Sequence, residues 1–518
     1  MYIGDWLARR ELLSPHKVAL IDAQRDYQPI TYSEWNRQAN RAANWLRTLG
    51  VGQGQLVAVL SMNCVEYLDV WFACGKLGAI MQTLNWRLTS HELVALLRDA
   101  TPKVLIYGPD FASQVQALQS EVAGIEHYVA LEPGRTASPS DRLFAERAAC
   151  PDAPPPPVEL TWDSPWALAY TGGTTGLPKG AILTHGNVTW NSVNTVMSWG
   201  LSPDDRTFLN MPLFHTGGLN VLTAPLVHIG GSSIVCRGFD VDQVFDLIED
   251  RGVTIYFGVP TMFIAQQAHP RWSTTDFSRL KWVISGGAPC PPPVFERWWE
   301  RGVDFKMGYG LTESGPNTFW MTAENAKRKP GSVGVPLFHV DVRVVRPDGT
   351  ECEPGEVGEL HICGPQVVSG YWNRPEESNR TIVDGWLHTG DLAHRDEEGF
   401  YYIVGRLKDV IISGGENVYP AEVEAVISGH PSVACVALIA VPDAHWGEVG
   451  RAVVVLNDGC EPEGDGIIAY CRERLARFKI PKSVVFADAL PLTGAGKIDK
   501  LALQESYGGA VSEARIRV

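Results

Sequence analysis

Largely apolar runs of strand length, set between stretches of helical periodicity, most constrain what this chain can fold into. Residues 56–61 read Leu-Val-Ala-Val-Leu-Ser and 104–107 read Val-Leu-Ile-Tyr. Further runs stand at 166–170, 207–210, 233–235, 254–258 and 282–285. A strand apolar on both sides is buried on both faces, which is the habit of parallel sheets covered by helices. The intervening helices are legible as well. Residues 32–49 carry a helical pattern with Thr31 as N-cap and Gly50 as stop, and 66–77 carry another. The expected class is α/β, with mixed and parallel sheets flanked by helices.

At 518 residues the chain exceeds one ordinary core. Beyond Gly390 the grain becomes finer. Residues 400–404 and 410–413 read as a strand pair, 421–427 and 467–476 as helices, and 433–441 and 452–456 as strands. This predicts a small α+β C-terminal domain of about 110 residues behind a large N-terminal one. Residues 133–165 contain Pro154-Pro155-Pro156-Pro157, which fits neither a helix interior nor a central strand, and read as a surface connection. The residues from about Gly508 read as a frayed tail.

Charge and cysteine usage narrow the function classes. A net charge of −15 argues against nucleic acid as a partner, since phosphate contacts need clustered Lys and Arg. No apolar run reaches the length of a membrane span, and no secretory signal is read in the first thirteen residues. The ten cysteines include no C-x-x-C pair, so reduced thiols and a cytoplasmic location are expected. Peripheral membrane contact and a homodimer stay open.

The densest chemistry follows the run at 166–170. Tyr170-Thr171-Gly172-Gly173-Thr174-Thr175-Gly176-Leu177-Pro178-Lys179-Gly180 is a loop with little side-chain bulk. It can present backbone N–H groups, hydroxyls and one ammonium to a polyphosphate. It is not a Walker A loop, because Gly180 stands where Ser or Thr should follow the lysine. In Gly308-Tyr309-Gly310-Leu311-Thr312-Glu313, glycines flank a ring suited to stacking on a base. Thr312 adds a hydroxyl and Glu313 an oxygen ligand for Mg²⁺. Ser285-Gly286-Gly287-Ala288-Pro289 ends an apolar strand with residues small enough for a ligand to approach the backbone. Asp391, beside Gly390, is suited to accept the two hydroxyls of a ribose.

In this order these motifs resemble the adenylate-forming superfamily of acyl-CoA synthetases, luciferases and peptide-synthetase adenylation domains. The likeness covers nearly the whole chain and looks closest to fatty acyl-CoA synthetases. It implies that Thr171, Gly172, Gly173, Thr174, Thr175, Gly176 and Lys179 hold ATP phosphates. Gly287, Ala288, Pro289, Gly308, Tyr309, Gly310 and Thr312 are implied to hold adenine and α-phosphate, Asp391 and Arg406 the ribose, and Glu313 the metal. Lys497, in Pro491-Leu492-Thr493-Gly494-Ala495-Gly496-Lys497, matches the catalytic lysine, alongside Thr312 and Glu313. Lys408 matches a hinge, which divides the chain into a large domain 1–407 and a small mobile domain 408–518.

The same resemblance places His215, Gly217, Gly218, Gly286 and Gly308 at the acid pocket, where the glycines would leave room for an extended acyl chain. It assigns Arg87, Gly414, Gly415, Trp446 and Lys479 to coenzyme A. The sequence departs from the family at Gly173, which usually is Ser, so one phosphate donor is missing; such a donor is typically worth about 1.5–3 kcal/mol.

The implied activity is that of an AMP-forming acyl-CoA synthetase with ATP, Mg²⁺ and coenzyme A. It would activate a medium- or long-chain fatty acid as the acyl-adenylate and pass it to the thiol by domain alternation. The alternatives are an aryl-CoA ligase, a free-standing adenylation protein that loads a carrier thiol, a luciferase-like oxygenase, and a non-catalytic binder of acyl-adenylates.

Overall fold

The computed structural model describes residues 3–171, 178–493 and 498–509. It is an α/β protein with a large N-terminal and a smaller C-terminal domain. The apolar runs form two sheet systems. The first has seven strands in the order Arg142–Leu143, His127–Ala130, Val104–Tyr107, Leu56–Leu60, Ile80–Thr83, Pro165–Thr171 and Lys179–Thr184. All neighbours are parallel except the last pair. The second contains the parallel strands Arg206–Leu209, Ser232–Val235 and Val18–Asp22, with Gln28–Thr31 antiparallel at the edge. Parallel strands Ile255–Gly258, Trp282–Ser285 and Phe305–Met307 follow beside it.

Local chemistry sets the helix ends. Helix Tyr32–Thr48 opens on a capping box in which Glu34 N–H donates to Thr31 Oγ1 at 3.2 Å and Thr31 N–H donates to Glu34 Oε2 at 2.8 Å. Trp35, Ala39, Ala42, Ala43 and Leu46 lie on its buried face at helical spacing. Helix Val65–Leu77 is buried along its length and stops at Gly78 in the left-handed region, φ +64°. Trp71, Trp166 and His185 form a buried ladder, with successive rings at 4.9 and 4.8 Å.

A third sheet was not foreseen. Asp341–Val345, Gly358–Cys363, Trp386–Arg395 and Tyr401–Arg406 run antiparallel, with Ile382–Val383 at an edge. This overturns the strand pair expected at 400–404 and 410–413. Tyr401–Arg406 pairs with Trp386–Arg395, whereas Ile411–Ser413 pairs with Glu416–Val418 and Gly447–Leu456. The 3-10 turn Leu407–Asp409 lies between the two sheets and prevents a hairpin.

The small domain packs helices Pro420–Ser428, Gly464–Arg472 and Lys500–Tyr507 on the sheet built around Val433–Asp443 and Gly447–Leu456. Helix Pro420–Ser428 also touches Tyr401–Arg406 and Pro292–Glu300 of the large domain. Within 133–165 the chain still contributes the edge strand Arg142–Leu143 and the 3-10 turn Phe144–Ala149, anchored by buried Phe144. All ten cysteines are free thiols. Among the described residues no helix is long and apolar enough to cross a membrane.

Candidate active site

Strands Pro165–Thr171 and Lys179–Thr184 bring Thr171 opposite Lys179. Gly172, Gly173, Thr174, Thr175 and Gly176 lie between them, outside the described residues, as does Lys497. The side chains at the two strand ends are already committed. Thr171 Oγ1 donates to Glu313 Oε1 at 3.0 Å. The same oxygen accepts the hydroxyl of Tyr371 at 2.9 Å. Lys179 forms an ion pair with Glu377, and its ammonium stands 5.4 Å from the centre of the Tyr371 ring. Burial, and then the Glu313 carboxylate, push the Tyr371 phenol well above its ordinary pKa, so it stays a donor.

Tyr371 and Glu377 escaped the sequence reading. They are 58 residues from Glu313 and 198 from Lys179. Only the run Gly370-Tyr371-Trp372, with a proline helix start behind it, marked the place.

The segment 308–313 leaves strand Phe305–Met307, and the backbone fixes its path. Gly308 N–H donates to Ser285 O at 2.7 Å, which joins it to the 285–289 turn. A Cβ on Gly310 would stand 2.1 Å from the Pro316 carbonyl oxygen, so no other residue fits there. Thr312 is buried, and Gly287, Ala288 and Pro289 are exposed at the rim of the second sheet system.

Tyr309 does not present an unattached ring. Its hydroxyl donates to Asp391 Oδ2 at 2.5 Å and its ring packs on Phe319. Arg406 Nε meets the other Asp391 oxygen at 2.6 Å. The residues expected at adenine and ribose thus form one cluster, in which both Asp391 oxygens are held before a nucleotide arrives.

The acid-pocket candidates also converge. A cavity is lined by Phe208, Met211, Gly217, Gly218, Leu222 and Phe257, among others. His215 caps the short helix Thr216–Asn220, where its Nδ1 accepts Gly217 N–H at 3.0 Å. That bond leaves the ring proton on Nε2 when the imidazole is neutral. A Cβ on Gly218 would meet the Pro212 carbonyl oxygen at 2.3 Å. Close backbone packing, rather than room for an acyl chain, therefore requires this glycine.

The coenzyme A candidates are brought together in part. Gly414 and Gly415 have φ of +61° and +88°, and Gly414 N–H donates to Trp446 O at 2.8 Å. The half-exposed Trp446 ring lies over Gly414. Lys479 is ion-paired with Glu422 at 2.6 Å. Arg87 stands on the large domain, its guanidinium 4.5 Å from the Trp86 ring centre and 6.0 Å from that of Phe214, the neighbour of His215. Lys408 is exposed in the turn Leu407–Asp409.

The AMP-binding enzyme model matches residues 7–372, and the AMP-binding enzyme C-terminal domain model matches 422–497. The chain belongs to the AMP-binding enzyme family.

Relatives agree across the full length. A feruloyl-CoA synthase of Amycolatopsis sp is 43% identical over 506 residues, covering 98% of this chain and 99% of the relative. A long-chain-fatty-acid–CoA ligase of Mycobacterium tuberculosis is 38% identical over 516 residues, covering 98% and 99%. The crystal structure of an anthranilate CoA ligase in complex with anthranoyl-AMP superposes with a TM-score of 0.90 at 28% identity, covering 98% of each chain. This family member is an AMP-forming acyl-CoA synthetase, with ATP and coenzyme A as co-substrates and Mg²⁺ as metal cofactor.

Proposed function

We propose that the acid is compact and aromatic, an arylacrylic or aryl carboxylic acid, rather than a long fatty acid. The lining of the cavity at Gly217 and Gly218 carries this reading. Phe208, Phe257 and Met211 offer aromatic and thioether surface to a flat ring. The feruloyl and anthranilate ligases among the relatives support it. The reading departs from the extended acyl chain suggested by Gly217 and Gly218, because Gly218 is committed to the Pro212 carbonyl.

In the first half-reaction the substrate carboxylate attacks the α-phosphorus of ATP, and pyrophosphate leaves. Oxide would be a hopeless leaving group from a carboxylate, and AMP is a good one. Protein groups position the reactants and neutralise charge. Arg87 and the Nε2 proton of His215 stand near the pocket to orient the carboxylate. Asp391 and Arg406 exchange part of their mutual pairing for the ribose hydroxyls, and Tyr309 and the 285–289 turn flank the base. Thr171, Thr312, Lys179 and Lys497 hold the phosphates.

The oxygen donors around Glu313, the Thr171 and Tyr371 hydroxyls, fit a hard cation. When bound there, Mg²⁺ supplies positive charge to the phosphate oxygens.

In the second half-reaction the domain from 408 turns about Lys408 and withdraws Lys497. Gly414, Gly415, Trp446 and Lys479 then receive coenzyme A, whose sulfur attacks the acyl carbonyl and expels AMP.

The test is kcat/KM for AMP formation with coenzyme A across a panel of acids. Cinnamic-type acids should exceed palmitic acid by at least tenfold. The reverse order would place a long chain in the pocket and overturn the proposal.

A further inference from the structure

We infer that Glu359, His361 and His388 form a binding site for a late first-row divalent cation such as Zn²⁺, separate from Glu313 and set on the sheet that carries Asp391. One ligand atom from each lies within 4.8 Å of the others. Glu359 and His361 are two residues apart on strand Gly358–Cys363 and so share a face. His388 is the cross-strand partner of His361, and the two rings stack at 3.9 Å.

The second observation concerns His361. It is 4% exposed, and neither ring nitrogen has an aligned hydrogen-bond partner. Its Nε2 faces Glu359 Oε2 at 3.3 Å without the angle of a hydrogen bond. An unsatisfied buried nitrogen is costly, and donation of its lone pair to a cation removes that cost.

Two imidazoles and one carboxylate suit Zn²⁺, Ni²⁺ or Cu²⁺ better than Mg²⁺. Stacked rings send their lone pairs along parallel lines. Reaching the usual ~2.0–2.1 Å Zn–N distance therefore requires one ring to swing. His388 is half-buried and on the open side, which gives that freedom and leaves a fourth position for water. Arg343, the other cross-strand neighbour of His361, has its guanidinium over the Trp386 ring at 4.1 Å.

The site is one hydrogen bond from the nucleotide cluster. Glu359 Oε1 accepts the N–H of Gly390 at 3.0 Å. Gly390 has φ +67° and sits in the bulge where the register between the two strands shifts, immediately before Asp391. A cation that draws the Glu359 carboxylate toward the histidines acts on the backbone that aims Asp391.

The test uses the full-length protein. Zn²⁺ alone is titrated calorimetrically, and Co²⁺ is followed by its visible absorption, which reports tetrahedral nitrogen and oxygen ligation. One ion per chain should bind to the wild type and to Glu313→Gln. Affinity should fall at least tenfold in His388→Gln and in Glu359→Gln, whose partly exposed side chains leave the core intact, as thermal melting will verify. At saturating Zn²⁺ the dissociation constant for AMP should shift in the wild type and stay fixed in His388→Gln. Absence of a visible Co²⁺ band, or equal Zn²⁺ affinity in wild type and both variants, would overturn the site. An AMP constant indifferent to Zn²⁺ would overturn its link to Asp391.

Discussion

The hydroxyl of Tyr371 donates to Oε1 of Glu313 across 2.9 Å, and the Thr171 hydroxyl reaches the same oxygen from the opposite segment at 3.0 Å. Two donors on one oxygen fix the carboxylate that the proposed metal must meet. Tyr371→Phe removes one of them and keeps the ring beside Lys179. A hydrogen bond to a charged group is worth about 1.5–3 kcal/mol. The apparent KM for Mg²⁺ should therefore rise about tenfold, with the KM for the acid little changed. A uniform loss of kcat with unaltered Mg²⁺ dependence would assign Tyr371 to packing alone.

Lys179 is paired with Glu377, which also meets Arg380. If Lys179 serves phosphate, ATP has to win it from Glu377. Partly exposed pairs of this kind are worth about 0.2–1 kcal/mol. Glu377→Gln should lower the KM for ATP by two- to fivefold, about the factor that energy allows. A raised KM would show that Glu377 positions the lysine rather than competing for it.

Phe257 lines the cavity proposed for the acid and also stands 3.1 Å from where a Cβ on Gly286 would be. Phe257→Ala should enlarge the pocket and remove its aromatic wall. The kcat/KM for an arylacrylic acid should fall about 10–100-fold, in the range of a few lost methylene equivalents, while that for a medium-chain acid rises. An unchanged ratio between the two would move the acid elsewhere.

His185 is fully buried against Trp166, and burial lowers its pKa to about 4. The unfolded chain takes up this proton near pH 6.5 and the folded chain near 4. The stability at stake is complete above pH 6.5 and lost as the pH falls toward 4. At pH 5 the loss is about 2 kcal/mol. His185→Phe keeps a ring on Trp166 and removes the titration. The fall in melting temperature between pH 7 and pH 5 should be smaller in the variant. Equal falls would show that other groups, such as His228, which burial also lowers to about 4, carry the acid sensitivity.

What the sequence revealed followed burial. The run at 104–107 is read to the residue because Val104, Leu105, Ile106 and Tyr107 are all buried, and a continuous apolar run has no other explanation at that length. The sheet holding Gly358–Cys363 and Trp386–Arg395 was missed because Glu359, His361 and His388 on one of its faces break the apolar run.

The same logic divides the site. The glycine and threonine motifs are local, so a short stretch of sequence is enough to pick them out. Tyr371 and Glu377 act on residues far away in sequence, so no spacing rule could pair them with Glu313 and Lys179. Nor could the sequence reveal that Asp391 is shared by Tyr309 and Arg406, since each lies on a different strand or loop.

In the proposed mechanism an aromatic acid becomes an acyl-adenylate before any thiol is needed. A single-turnover mixture of enzyme, ATP, Mg²⁺ and a cinnamic-type acid, quenched without coenzyme A, tests it directly. Enzyme-bound acyl-AMP should form in near-stoichiometric amount with one pyrophosphate released, and should convert to thioester and AMP when coenzyme A is added. Formation of ADP and phosphate, or no acyl-AMP until coenzyme A is present, would contradict it.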